Sequence, residues 1–313
     1  MKRKAVVVVG PTASGKTSLG INICKYFNGE VISADSMQIY KGLLISTAKP
    51  DEAEMDGIKH HLIDFLPVTE KYSVSDYCKD AAKAFDEITA KGKLPVIVGG
   101  TGLYVDSFLT NTEFIDEASS EEVRNKLFDE LKEKGAEYMH QKLCKVDPEA
   151  GAKIHQNNTV RVIRALEVFE TTGKTITQQT LDSHKNESDI EALYIGISYE
   201  EREKLYERIN LRVDLMLERG LVDEARDFFT GNPSKTSVNS IGCKELKPYL
   251  DNEKTLEECV EQLKRSTRRY AKRQLTWFRK NQEIHWFYPD VNDGDILPQV
   301  YALINEFLEG EAT

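Results

Sequence analysis

What the chain has little of narrows it first. Its 313 residues hold only five cysteines, Cys24, Cys78, Cys144, Cys243 and Cys259, scattered and without a C-x-x-C pair. Such spacing argues against a disulfide framework and a structural zinc site, and fits a reducing cytoplasm. No apolar run approaches the roughly 18 residues of a membrane helix, so no spanning segment is expected. A surplus of positive charge is also missing. Lys and Arg number 42 against 52 Asp and Glu, a formal charge of -10. A protein that simply coats nucleic acid is therefore disfavoured, and any polyanion site must be local. Internal repeats and low-complexity stretches are absent too. The basic tip of MKRKAVVVVG looks like the start of a secretion signal, but its five-residue apolar run meets a glycine loop without a cleavage site. It reads as a first strand.

What is present is a soluble-protein composition, 40% hydrophobic and 30% charged, in a length that suggests about two domains. The first hundred residues alternate strand runs (5–9, 30–33, 94–98) with amphipathic helical stretches (18–27, 77–90). That alternation predicts an α/β core, a parallel sheet with helices on both faces. From about residue 111 to 189 helix signals take over. Ser119 with Glu122 reads as a capping box, Val123, Leu127 and Leu131 follow at spacing four, and Asp147-Pro148 reads as an N-cap and first turn. A strand over 192–197 and a long helix carrying Leu205, Ile209, Val213 and Leu217 then return to the earlier style. The expectation is a discontinuous core domain, 1–112 and 192–313, split by an all-helical insertion, 113–191.

Three segments carry chemistry. Gly10, Pro11, Thr12, Ala13, Ser14, Gly15, Lys16 and Thr17 follow a strand and open a helix, which matches the phosphate-loop pattern in its required context. Backbone N–H groups and the helix N-terminus would cradle two linked phosphates, with Lys16 neutralising oxygens and the Thr17 hydroxyl able to ligate Mg²⁺. The loop alone does not say what carries the phosphates. Asp35, in ISADSMQ, falls at the carboxyl end of the second strand, where it can accept a proton, orient a nucleophile, or simply cap the next segment. Thr101, in GGTGLY, falls at the end of another strand among glycines that permit close backbone approach. A fourth feature is the stretch Lys264 to Lys280, with eight basic residues, no acidic one, and Tyr270, Trp277 and Phe278 interleaved. A solvated helix normally mixes signs, so this density points to the phosphates of a polyanion, with the aromatics packed inward. His60-His61 lacks a third ligand at a convincing spacing and reads as structural or channel-side, and His155 reads as a capping or packing residue.

Taken together, GPTASGKT, ISADSMQIYKGLLISTAKP and VIVGGTGLY, followed by DPEAGAKIHQNNTVRVIRALEVFETTGKTIT, RINLRVDLMLERGLVDEA, SVNSIGCKEL and TRRYAKRQLTWFRK, resemble the tRNA dimethylallyltransferase family across nearly the whole chain. The resemblance implies a P-loop NTPase-like core that binds dimethylallyl diphosphate with Mg²⁺, and a helical insertion that clasps the anticodon stem-loop of tRNA. The implied reaction moves the dimethylallyl group to N6 of adenosine 37 in tRNAs reading codons beginning with U. By position, Gly10 through Thr17 form the diphosphate loop with Lys16 also catalytic, Asp35 is the proton acceptor, and Thr101 assists. Arg212, with Arg208 one turn earlier, is the candidate second clamp on the diphosphate. Asp35, Ser36, Met37, Gln38 and Thr101 would meet the tRNA, as would Arg124, Val160, Arg161, Val162, Ile163 and Arg164 in the insertion. The two arginines flanking Val162 and Ile163 are expected to touch RNA while those aliphatics pack. Gly102 stands at a position that varies in the family. No Cys and His array follows the core, which favours the bacterial type of the family.

A metabolite kinase would share the loop but bring an arginine-bearing lid. A prenyltransferase acting on free AMP would have no use for the insertion or the basic segment. A catalytically idle RNA-binding protein would not keep both the loop and Asp35. No feature indicates an obligate protein partner or a membrane, and the expectation is a cytoplasmic monomer.

Overall fold

The computed structural model describes residues 2–112, 120–183, 188–291 and 294–310. Its chain separates into two compact units, Met1–Leu109 with Asp189–Thr313, and Thr110–Ser188.

The first unit is built on one six-stranded sheet, all of its pairs parallel. In chain order it carries β1 (Arg3–Val9), α1 (Lys16–Tyr26), β2 (Gly29–Ser33), α2 (Glu52–Met55), β3 (His60–His61), α3 (Val74–Ala90), β4 (Leu94–Gly99) and α4 (Gly102–Leu109). The intervening unit supplies α5 (Glu121–Val146), α6 (Pro148–Lys153), α7 (Thr159–Thr172) and α8 (Ile176–Ser183). The sheet then resumes with β5 (Ile190–Ile197), α9 (Arg202–Glu218), α10 (Leu221–Thr230), α11 (Cys243–Leu250), α12 (Leu256–Phe278), β6 (His285–Phe287) and α13 (Leu297–Glu309). Spatial order is β3-β2-β4-β1-β5-β6.

β1 explains why its sequence is an unbroken apolar run. Ala5, Val7 and Val9 pack with residues of α3, α4 and α9 to α12, while Val6 and Val8 pack with Leu19, Ile23 and Cys24 of α1 and Val300 and Ile304 of α13. Both faces are covered from Ala5 to Val9, so alternation disappears and each of those five positions is apolar. The expected parallel sheet with helices on both faces is therefore what forms. The short edge strands β3 and β6 were not foreseen, because two or three residues carry no measurable period.

The helical unit has its own core of Leu127, Met139, Leu143, Ala150, Val162, Ile163 and Leu166. Within α5, Gly135 has φ 82° and ψ 170°, so the helix is interrupted there. Asp147 caps α6 by accepting from Ala150 N at 3.1 Å and also accepts from Thr177 N and Oγ1, tying α8 to the cap. The anticipated capping residue Ser119 lies outside the described residues. Ser120 holds the N-cap, its hydroxyl accepting from Val123 N at 3.3 Å.

The centre of this unit is a carboxylate. Glu167 on α7 is 0% exposed and accepts from Ser120 N, from Arg124 Nε and Nη2, and from Arg164 Nη1, all at 3.0–3.2 Å. A buried charge must be fully paired, and removing its side strands the groups left behind. Glu167→Ala should destabilise the helical unit by about 2 kcal/mol, seen as roughly 30-fold faster amide exchange across α5 and α7. Exchange in β1 and β4 should stay unchanged; equal acceleration in the sheet would show that Glu167 does not act locally.

Candidate active site

The site forms where the parallel strands end. β1 runs into Gly10, whose φ is 150° and whose missing side chain leaves room for Ile197 of β5; a Cβ there would sit 2.2 Å from the Ile197 carbonyl oxygen. The loop turns through Ala13 and Gly15, at φ 64° and 99°, and enters α1. Its N–H groups and the helix N-terminus make a positive concavity suited to phosphate. Lys16 Nζ donates to the Pro11 carbonyl at 2.6 Å, inside the loop it opens. Burial pushes its ammonium down to about 7, with Arg212 adding to the effect and Asp35 opposing it.

From α9, two arginines one turn apart reach the same loop. Arg208 Nε donates to Ala13 O at 3.1 Å, and Arg212 Nη1 donates to Thr12 Oγ1 at 3.3 Å. Burial holds the Arg212 guanidinium below its ordinary value, opposed by Asp35 and Glu54. Lys16, Arg208 and Arg212 thus concentrate three cations around one loop in an acidic protein.

Opposite the loop stand the ends of β2 and β4. Gly99 approaches β2 so closely that a Cβ would lie 2.1 Å from the Ala34 carbonyl oxygen. That contact lets Thr101 N donate to Ala34 O at 3.1 Å while Thr101 Oγ1 accepts from Ser36 N at 3.1 Å. Asp35 Oδ1 accepts from Met37 N and Gln38 N at 2.8 and 3.2 Å. The aspartate does cap the following turn, as its position allowed, but both bonds fall on Oδ1 and neither uses Oδ2. Gln38 Nε2 donates to Thr47 O and Ala48 O, so its amide is held by the chain itself. The stretch that supplies those carbonyls is anchored by Glu224 of α10, whose carboxylate accepts from the N–H groups of Leu44, Ile45 and Ser46 at 2.6–2.8 Å.

A cavity of about 280 Å³ is lined by Lys16, Thr17, Asp35, Gln38 and Arg212, together with apolar Ile209, Val213, Met216 and Leu263. A second, more open cavity of about 830 Å³ shares Lys16, Thr17, Arg212 and Met216 with it. The arrangement can hold a polyanion at the loop, an apolar group beside α9, and a proton acceptor across from both. Among the described residues no group of three His, Cys, Asp or Glu could hold a metal. The oxygen donors that do meet here, the Thr17 hydroxyl and the Asp35 carboxylate, suit Mg²⁺, which takes few protein ligands and completes its shell with phosphate and water.

Two residues of this site escaped the sequence reading. Gln274 and Tyr270 lie on α12, inside the basic stretch, and line the smaller cavity. Tyr270 was read only as one of the interleaved aromatics of the basic stretch, and the one signal for Gln274 was the glycine run it packs against. Gly102, at a position that varies in the family, has no room for a side chain here, because a Cβ would meet the Trp277 ring at 2.2 Å. Trp277 Nε1 in turn donates to Asp106 Oδ2 at 2.7 Å. Of the eight basic residues of Lys264 to Lys280, Arg265, Arg269, Lys272, Arg273, Arg279 and Lys280 are exposed, whereas Lys264 pairs with Asp214 and Arg268 donates to Asn210. His60 lines the cavity and His61 pairs with Glu30 at 2.8 Å. His155 Nδ1 accepts from Asn157 N at 3.1 Å.

In the helical unit, Arg124 and Arg164 meet on Glu167, and Val160 and Arg161 are exposed. Val162 and Ile163 are 1% and 2% exposed and belong to that unit's core. Their side chains are thereby removed from the set of expected RNA contacts, because helix periodicity turns both positions inward.

The sequence pattern of the IPP transferase family matches residues 38–281. The chain is 52% identical over 292 residues to the tRNA dimethylallyltransferase of Acetivibrio thermocellus, covering 93% of each. It is 46% identical over 309 residues to that of Bacillus mycoides, covering 98% of this chain and 96% of the relative. Among solved structures, a tRNA isopentenylpyrophosphate transferase from Bacillus halodurans aligns over 99% of this chain and 96% of its own, with 43% identity and a TM-score of 0.72. A eukaryotic dimethylallyltransferase described as acting on tRNA aligns over 98% of this chain and 80% of its own, with 31% identity and a TM-score of 0.84.

The depressed Lys16 gives the site a pH signature. Above about pH 7 the free protein holds a neutral Lys16, and an arriving polyanion restores its charge, so binding must take up a proton. Affinity for inorganic diphosphate should therefore fall as pH rises from about 7, by up to about tenfold per unit, relative to a Lys16→Arg variant whose charge is fixed. Calorimetry across that range checks it. Parallel profiles for the two proteins would show that Lys16 does not titrate with binding.

Proposed function

The chain belongs to the IPP transferase family, and on that premise we propose that it transfers the dimethylallyl group from dimethylallyl diphosphate to N6 of adenosine 37 in tRNAs reading codons beginning with U. The observation that carries this reading is the meeting, around one cavity, of a cationic diphosphate loop, an apolar wall and Asp35, whose neighbour Ser36 is held by Thr101.

The exocyclic N6 of adenine is a weak nucleophile, so departure of diphosphate from the allylic C1 has to be eased first. Charge grows on the leaving oxygen as the C1–O bond breaks. The loop N–H groups, Lys16, Arg208 and Arg212 are already in place to receive it, and such preorganised electrostatics usually contributes most to catalysis. Mg²⁺, held by Thr17 and the phosphates, would add Lewis-acid neutralisation of that charge. As N6 bonds to C1, Asp35 takes the N6 proton. Thr101 fixes the backbone on which Asp35 sits, through Ser36. Ile209, Val213 and Met216 would shelter the allyl group from water.

An acceptor base has to leave its stack to enter so small a cavity, at a cost of a few kcal/mol. RNA phosphate contacts offset that cost. The exposed arginines and lysines of α12 suit them, as do Arg124, Arg161 and Arg164 of the helical unit, which share no element with the core. No described helix is long and apolar enough to cross a membrane. All five cysteines are free, in keeping with work in a reducing cytoplasm.

Because Asp35 Oδ1 also holds the turn, its role is best tested by Asp35→Asn, which keeps the acceptor and loses the base. We expect kcat for prenyl transfer to unmodified tRNA to fall about 10² to 10⁴-fold with tRNA Kd nearly unchanged. Matching losses in both would assign Asp35 to binding. Separately, Arg269→Gln and Lys272→Gln should each reduce the slope of log affinity against log salt by about 0.7 to 0.9. An unchanged slope would remove α12 from the RNA surface.

A further inference from the structure

We infer that Gln274, on the inner side of α12, is a positioning residue that sets the diphosphate loop and the Thr101 turn at a fixed separation; the inference rests on the prenyl-transfer reading above. The side chain is 5% exposed. Its Oε1 accepts from Thr12 N at 2.8 Å, and its Nε2 donates to Gly100 O at 3.0 Å. One amide therefore ties the loop after β1 to the loop after β4. Its orientation is forced, since a flipped amide would set N–H against N–H at Thr12 and oxygen against oxygen at Gly100.

The two anchored residues each lead to one half of the reaction. Thr12 carries the hydroxyl that Arg212 contacts, on the leaving-group side. Gly100 precedes Thr101, which holds Ser36 N beside Asp35 on the acceptor side. A side chain at position 100 would displace the bridging amide, because a Cβ there would lie 2.1 Å from Gln274 Nε2. Tyr270, one turn earlier, lines the same cavity. Its hydroxyl is pushed up by burial, with Asp35 adding to the shift. Transfer needs C1 and N6 within near-attack distance, and a displacement of about 1 Å between the two halves can cost about 10²-fold in rate.

The test uses the full chain, inorganic diphosphate with Mg²⁺ as the probe of the loop, and an anticodon stem-loop RNA as the probe of the acceptor side. Gln274→Met keeps the volume and removes both bonds. It should lower kcat by about 100-fold and weaken diphosphate about fivefold, with RNA Kd changed by less than about twofold. Gln274→Glu supplies the signature that mere packing lacks. Its protonated carboxyl can accept from Thr12 and donate to Gly100, whereas its carboxylate can only accept. The ratio of its kcat to that of the parent should climb as pH falls, while the ratio for Gln274→Met stays flat. A Gln274→Met protein within about twofold of the parent in both kcat and diphosphate Kd overturns the inference, as does a flat ratio for Gln274→Glu. If Gln274→Met does not fold, the pH dependence of Gln274→Glu decides alone. A parent protein that fails to prenylate RNA, with diphosphate binding still weakened in Gln274→Met, would sink the acceptor reading and leave the bridge standing.

Discussion

The structure depends on the close approach of two strand ends, β2 and β4, with no side chain between them. Gly99 lies against the Ala34 carbonyl at a distance no other residue could accept. Everything on the acceptor side follows from that contact. It brings Thr101 within reach of Ser36, holds the backbone of Asp35, and puts the Asp35 carboxylate across from a phosphate loop that belongs to the next strand over, β1. A parallel sheet aligns all its strand ends on one edge, so residues far apart in sequence come to share a cavity.

Electrostatics supplies the second constraint. The protein is acidic as a whole, yet its cations are gathered where polyanions must go. Lys16, Arg208 and Arg212 surround the loop from one side, and α12 presents an exposed basic face. Burial disfavours the charged forms of Lys16 and Arg212, and brings Lys16 down to about 7. The outer cations remain solvated and act over a Debye length. Two kinds of positive charge, one desolvated and one exposed, thus serve two polyanions.

α12 joins these roles. Its C-terminal half turns Arg265, Arg269, Lys272 and Arg273 outward, and its inward residues Gln274 and Trp277 reach the two crevice loops and α4. A 23-residue helix with Thr255 and Glu258 in a capping box is rigid enough to connect them. The helical unit solves a similar problem with Glu167, which orders Arg124 and Arg164 by giving both one buried partner.

The loop from Gly10 to Thr17, Asp35 and Thr101, and the strands and helices around them, were legible because each rests on a local rule: glycine spacing, an apolar run, a residue at a strand end. The same was true of the basic run and of the inward turn of Val162 and Ile163, which helix periodicity fixes. Sequence by itself therefore determined the parallel core, the phosphate cradle and the family. Only the tertiary structure decided which neutral residues bind these parts together. Gln274 reads as one more polar residue in a basic helix, Gly102 as a variable position, and Glu224 and Glu167 as ordinary surface carboxylates, until packing shows what each faces. The reason is physical. A hydrogen bond between groups some 170 to 260 residues apart, such as those from Gln274 to Gly100 and Thr12, leaves no period and no spacing along the chain.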